Sequence, residues 1–225
     1  MKMKQAQKID YLKMVDIFQG LSKSEMQEMD RTTTMSTCRR GKIFYQAEDT
    51  SEVLFILKKG RVQLYRLTPD GKKLVVADIG AGSIFGEMAV IGQGMHNTFA
   101  EAMEDCLLCV MSRHDVERLI LGKPAVAIQV MNILAQRLHR AETRLEDMAF
   151  KSVSGRLASL LLTLCEDQGD RIYGYTHQDL ADAVGTYRET VTLTLNEFKS
   201  KNLIAIGRKR IDILDSAGLK MAAAE

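Results

Sequence analysis

The chain has 225 residues, 46% hydrophobic and 27% charged, with 31 Lys and Arg against 29 Asp and Glu and a formal net charge of +2. That length and apolar content support two domains with separate cores, while the near-neutral balance excludes bulk charge as the source of affinity for nucleic acid or membrane. The cysteines, Cys38, Cys106, Cys109 and Cys165, are too scattered in a chain of this size to be a disulfide framework, and no apolar run is long enough to span a bilayer.

The first eight residues carry lysines but no apolar stretch behind them, unlike an export signal, so a cytoplasmic protein without membrane attachment is expected. Two short helical patterns follow, near Tyr11 to Val15 and Ser22 to Met29. From Thr33 to Met111 short aliphatic runs alternate with glycines: Val53 to Leu57, Val62 to Tyr65, Leu74 to Ala77 and Leu107 to Met111. Short strands at close intervals predict a sandwich or barrel. Thr68-Pro69-Asp70-Gly71 predicts a tight turn, since proline presets one central dihedral and glycine permits a positive one, so Arg61 to Asp78 reads as a hairpin. Cys106 and Cys109 form a CxxC, yet they sit in a strand, where residues three apart point to opposite faces and chelate poorly. No metal site is assigned, there or at the lone histidines His96 and His114.

Pro124 suits a first helical turn, and apolar residues then recur at Val130, Leu134, Leu138, Ala141, Leu145 and Met148 in steps of three and four. A helix over Pro124 to Phe150 extends roughly 40 Å at 1.5 Å per residue. Its flanks, including Arg137, Arg140, Glu142 and Arg144, read as solvated. The single narrow stripe predicts a parallel homodimer, with packing on the chain's own sheet as the other reading.

Thr176 to Gly185 reads as a short helix capped by Thr176, with Asp179 as its third residue and Gly185 turning the chain out. A second helix, Thr186 to Lys201, buries Val191, Leu195 and Phe198 and leaves Arg188, Glu189, Thr192 and Leu193 on the opposite side. Ile204 and Ile206 then pair across the tip Gly207-Arg208-Lys209-Arg210 with Ile211 and Ile213. That is the pattern of a winged helix-turn-helix, with the tip cations placed to reach phosphates and His177 and Gln178 at the start of the first helix as further phosphate contacts. Thr186-x-x-Glu189 also has capping-box spacing, which competes with a base-reading role for Glu189; base reading is preferred. Nucleophile elbows, phosphate loops and paired-histidine spacings are all missing, so no enzymatic activity is expected.

The order of parts, with Gly80-Ala-Gly-Ser-Ile-Phe-Gly-Glu-Met-Ala89, Phe150 to Arg156 and Gly185-Thr-Tyr-Arg-Glu-Thr-Val191, resembles the CRP/FNR family of bacterial transcription regulators over nearly the whole chain. The resemblance implies an α+β protein: a double-stranded β-helix (jelly roll) sensor domain over residues 1–123, a dimerisation helix over 124–150 and a winged helix-turn-helix over 151–225. It implies double-stranded DNA as partner, RNA polymerase as a second, and a homodimer reading a near-palindromic site with half-sites about 34 Å apart. Arg188 then matches the arginine that forks onto guanine and Glu189 the carboxylate that accepts from cytosine, with Thr186, Tyr187, Thr192 and Leu193 beside them. Leu193 stands where many relatives carry a second groove-facing arginine.

The same resemblance places an effector pocket at Gly86, Glu87, Met88, Asn97 and Thr98. Family members that bind cyclic nucleotides carry an Arg-Ser or Arg-Thr pair where this chain has Asn97-Thr98, and threonine and serine where it has Ala141 and Glu142. An unpaired cyclic phosphate is costly to bury, so cyclic AMP is disfavoured as effector and no cofactor is assigned. The alternatives are a cyclic-nucleotide-responsive regulator, or a ligand-binding module whose C-terminal domain contacts protein.

Overall fold

The computed structural model describes residues 15–18, 21–46, 49, 52–87 and 98–224. Part of the first helical pattern, Tyr11 to Met14, lies outside them, as do His96, Met88 and Asn97. The chain divides into two compact units, one of Met1–Leu67 with Val76–Arg137 and the other of Thr68–Val75 with Leu138–Glu225.

In the first unit a single 3-10 turn, Asp16–Phe18, is followed by helix α1, Lys23–Thr32, which Ser22 caps by accepting from the Glu25 amide while Glu25 accepts in return from Ser22. Eight strands come next among the described residues, β5 beginning in the second unit: β1 Thr34–Cys38, β2 Ile43–Tyr45, β3 Val53–Lys59, β4 Val62–Leu67, β5 Lys73–Ile79, β6 Ile84–Phe85, β7 Phe99–Ala102 and β8 Cys106–Ser112. They form two four-stranded sheets in the orders β1-β8-β3-β6 and β2-β7-β4-β5. Alternation along the strands sorts the side chains. Phe55, Leu57, Cys106 and Leu108 share a core with Tyr45, Leu64 and Ala100 of the other sheet. Leu54, Ile56, Cys109 and Met111 face the opposite way, against Met26 and Met29 of α1. Covered on both faces, β3 reads as one continuous apolar run. The Pro69 turn forms as expected: the Gly71 amide donates to the Thr68 carbonyl (2.8 Å), with φ of +81° at Gly71.

Helix α2, Arg113–Gly122, capped by Ser112, leads into α3, Pro124–Phe150. The apolar stripe of α3 departs from expectation at its start. Val130, together with Ile133, packs against the core of the first unit, so it is engaged within its own chain. The outward stripe runs instead through Met131, Leu138, Ala141, Leu145 and Met148, all exposed, with Leu134 half-buried. Among the described residues no single helix is long and apolar enough to cross a membrane.

In the second unit, α4 (Val153–Gln168) carries Leu157 and Leu161 into a core shared with α5 (His177–Val184) and α6 (Arg188–Ser200). A three-stranded sheet in the order β10-β11-β9 completes it: β9 Arg171–Tyr173, β10 Ile204–Gly207, β11 Arg210–Ile213. The final helix, α7 (Ser216–Ala222), buries Leu219 in the same core.

Candidate nucleic-acid interface

Thr176 opens α5 through a reciprocal pair of bonds: the Asp179 amide donates to its hydroxyl (3.1 Å), and its own amide donates to the Asp179 carboxylate (2.7 Å). Gly185 closes the helix in the left-handed region, φ 71° and ψ 42°. The Thr186 amide then bonds the Ala181 carbonyl (3.0 Å), and Ala181, wholly buried, leaves room for α6 to cross. A small residue thus sits at the crossing, and a glycine stands where a Cβ would strain the backbone.

The start of α6 differs from expectation. Tyr187, not Thr186, is the N-cap, and it makes no side-chain cap bond, so the Thr186–Glu189 capping box does not form. Thr186 is buried, at 9% exposure, because its position in the turn directs it into the unit; it is not presented outward with the others. Arg188, Glu189 and Leu193 are exposed, Leu193 at 70%, and Thr192 is half-buried. With no cap to serve, Glu189 stands beside Arg188 on the outer face of the first turn. Tyr187 is 63% exposed, with the Lys72 ammonium 4.1 Å from its ring centroid.

His177 connects the two helices. Its Nδ1 lies 2.8 Å from the Thr192 hydroxyl, which itself donates to the Arg188 carbonyl (2.9 Å). With that hydroxyl proton committed, the imidazole donates from Nδ1. Gln178 donates to Asp182 (2.7 Å). Burial, ahead of any other influence, pushes the Asp182 carboxyl above the usual range.

The wing tip is a two-residue turn, Arg208 and Lys209, with Lys209 at φ 53°. Arg210 is not simply a third outward cation: its Nη2 donates to Asp212 (2.9 Å), whose other oxygen lies 3.7 Å from Arg171. A cleft of about 570 Å³ brings five of the expected residues together, His177, Gln178, Arg188, Lys209 and Arg210, with Tyr175 and Thr176; Tyr187, Glu189, Thr192, Leu193 and Arg208 do not line it. The start of each helix and the wing thus border one concave, cation-bearing surface. Tyr175 was missed by sequence reasoning, and only its place one residue before the cap marks it.

In the first unit Gly86 has φ of +83° and Glu87 is buried. Arg137 pairs with Glu87 and also donates to the Ile84 carbonyl, and among the described residues the buried Glu87 Oε2 has no hydrogen-bond partner. The helical pattern had placed Arg137 on a solvated flank; it is only 21% exposed, held inward by this pair. Burial, and then the Glu87 charge, raise the Tyr45 hydroxyl well above the usual phenol range. Thr98 is half-buried, Ala141 and Glu142 are exposed, and Met88 and Asn97 fall outside the described residues. Among the described residues no group of His, Cys, Asp and Glu has metal-binding geometry.

Residues 36–122 match the cyclic nucleotide-binding domain, and residues 155–222 match the Crp-like helix-turn-helix domain. The chain is 32% identical over 178 residues to the cyclic AMP receptor protein of Thermus thermophilus, covering 79% of this chain and 82% of that one. It is 30% identical over 189 residues to the global nitrogen regulator of Synechococcus elongatus, covering 80% and 85%. A solved CRP/FNR-family regulator from Thermus thermophilus superposes with a TM-score of 0.71 at 28% identity, covering 85% of this chain and 99% of that one.

Proposed function

Because the chain belongs to the CRP/FNR family of transcription regulators, we propose that it acts as a homodimer reading a near-palindromic DNA site, with no direct control by cyclic AMP. The observation that carries the DNA reading is the single cleft joining Arg188 to His177, Gln178 and Lys209. Arg188, at the first turn of α6, forks onto a guanine in the major groove; Glu189 accepts from a cytosine amino group. Thr192 and Leu193 extend that face toward neighbouring bases, Leu193 offering only apolar contact. Tyr187, His177, Gln178, Arg208 and Lys209 meet the backbone, where they set register and carry no sequence information.

The outward stripe of α3 supports the dimer. Leu138 is 61% exposed and Leu145 69%, on a helix whose step of three and four suits pairing with its own copy. Two-fold symmetry then sets the half-site spacing at about 34 Å. A cytoplasmic location and contact with RNA polymerase follow from the same family reading.

The effector reading rests on Glu87. Among the described residues one of its buried oxygens has no partner, which suits a hydroxyl-bearing ligand. Among the described residues, the cation at this site is Arg137, already committed to Glu87 and the Ile84 carbonyl. With Asn97 in place of an arginine, the pocket residues do not fit an anionic cyclic phosphate.

Mobility shifts of the purified protein on genomic fragments at rising salt test the proposal. Retained preference for particular fragments, a steep log-log salt slope and indifference to cyclic AMP are expected. Loss of fragment discrimination in Arg188→Ala supports the assigned role. Equal binding to all fragments, or a large gain with cyclic AMP, overturns the corresponding part.

A further inference from the structure

The sequence draws attention to Cys106 and Cys109, but the fold separates them and supplies a different partner. Cys109 faces the core against α1, with Ile56 and Met111. Cys106 faces the core between the sheets, and Cys38 packs against that same core. Strand β1 lies antiparallel to β8 in a register that sets Cys38 directly opposite Cys106. Directly opposed residues of an antiparallel pair have Cα atoms about 4.5 or 5.5 Å apart and side chains on one face, within the window of about 4.4–6.8 Å that a disulfide spans.

The two thiols differ in access. Cys106 is 3% exposed, and its Sγ lies 3.2 Å from the Glu104 carbonyl and 3.6 Å from that of Arg61. Gly60, at φ +94°, leaves it room, since a Cβ there would stand 2.7 Å from the sulfur. Cys38 is half-buried at the edge strand and lines a cleft of about 630 Å³ with Arg39, Arg40 and Lys42 at its rim. Burial, and next the neighbouring Cys38, push the Cys106 thiol up to about 11, so its proton leaves as its sulfur attacks.

We propose that Cys38 and Cys106 form an oxidisable dithiol, with Cys38 as the thiol that meets a peroxide in the cleft and Cys106 as the thiol that resolves it. The Cys38 thiolate attacks one peroxide oxygen; the O–O bond breaks, and the departing hydroxide takes up a proton as water. Cys38 is left as a sulfenic acid. The Cys106 sulfur then attacks the Cys38 sulfur, the S–O bond breaks, and hydroxide leaves with the Cys106 proton as a second water. Overall the two thiols lose two electrons and one hydrogen peroxide becomes two waters. A dithiol reductant reverses the bond.

The test uses the reduced full-length protein, treated with stoichiometric hydrogen peroxide and mapped by mass spectrometry of unreduced proteolytic peptides alongside a free-thiol count in denaturant. The count should fall from four to two, with one linked peptide pair containing Cys38 and Cys106, both restored by dithiothreitol. Cys109→Ser and Cys165→Ser should behave as the parent does, and Cys38→Ser should keep all of its remaining thiols. Three results overturn the assignment: a link through Cys109 or Cys165, a Cys38–Cys38 link between copies, or oxidation of Cys38 to the sulfinic acid with Cys106 untouched. The parent protein alone decides among these, so a variant that fails to fold removes none of them.

Discussion

Arg137 and Glu87 form a partly buried ion pair in which the same guanidinium also holds the Ile84 carbonyl, so one side chain of α3 ties down the turn after β6. Removing only the cation strands a carboxylate, one of whose oxygens already has no partner among the described residues. Arg137→Ala should therefore lower the unfolding free energy by about 3 kcal/mol, as breaking a buried pair does. Replacing both members, Arg137→Met with Glu87→Gln, should recover most of it, since no buried charge remains. Urea denaturation of the two variants checks this; equal losses in both would mean that the pair itself, not the stranded charge, carries the effect.

Gly185 adopts φ 71° and ψ 42°, and a Cβ there would lie 3.3 Å from Met148 and 3.5 Å from Leu74. Gly185→Ala should cost about 1–2 kcal/mol for the left-handed backbone. Gly185→Asn should cost less, because asparagine tolerates that region. Denaturant midpoints at unchanged slope measure both, and an alanine variant as stable as the parent would mean that the turn has moved.

The parts of the fold that were legible are those with a local cause. Pro69 and Gly71 marked their turn, Thr176 and Asp179 their cap, and the isoleucines flanking Arg208 and Lys209 the wing. What escaped is what depends on neighbours distant in sequence. Strand β9 is three residues long with only Ile172 buried, so it carries no readable period and exists because β11 offers it an edge. Thr186 looked like a cap because its spacing to Glu189 is right, but the left-handed Gly185 turns it inward and passes the cap to Tyr187. Arg137 looked solvated because a helical wheel cannot show a carboxylate fifty residues back in the chain.

Glu25 is held down to about 2, chiefly by its hydrogen bond with the Lys123 side chain and next by the Ser22 amide. Its folded value lies below the ordinary 4.5, so the folded state binds this proton less readily than the unfolded chain. The stabilisation is present in full above pH 4.5 and fades as the pH falls toward 2. In Glu25→Gln the thermal midpoint should vary less with pH across that window than in the parent. The difference should shrink in high salt, since the group is near the surface. Identical pH profiles for parent and variant would show that the contact contributes nothing in solution.

Leu138 lies midway along the exposed stripe of α3, at 61% exposure. In a parallel pair it meets its own copy, so Leu138→Glu places two like charges face to face in an apolar seam. Sedimentation at micromolar concentration should show a dimer for the parent and a monomer for the variant, with specific DNA affinity falling in step because one half-site alone remains engaged. Replacing Val130, already packed within its own chain, should instead lower stability and leave the oligomeric state unchanged. A Leu138→Glu dimer as tight as the parent would place the interface elsewhere.

The wing and α6 should make separable contributions to DNA binding. Lys209 sits in the left-handed region at φ 53°, so Lys209→Asn removes the charge while keeping a residue that tolerates the backbone. It should weaken binding about equally on all sequences and reduce the log-log salt slope by about 1, as loss of one phosphate contact does. Leu193, 70% exposed on the outer face of α6, should act differently. Leu193→Arg adds a forked donor pair able to take guanine O6 and N7, worth about 1–3 kcal/mol of discrimination at one position per half-site. Selection from a randomised pool should therefore return a motif with one new guanine in each half, related by the two-fold axis, while Lys209→Asn returns the parent motif. The same motif from all three proteins would show that α6 does not enter the groove by this face.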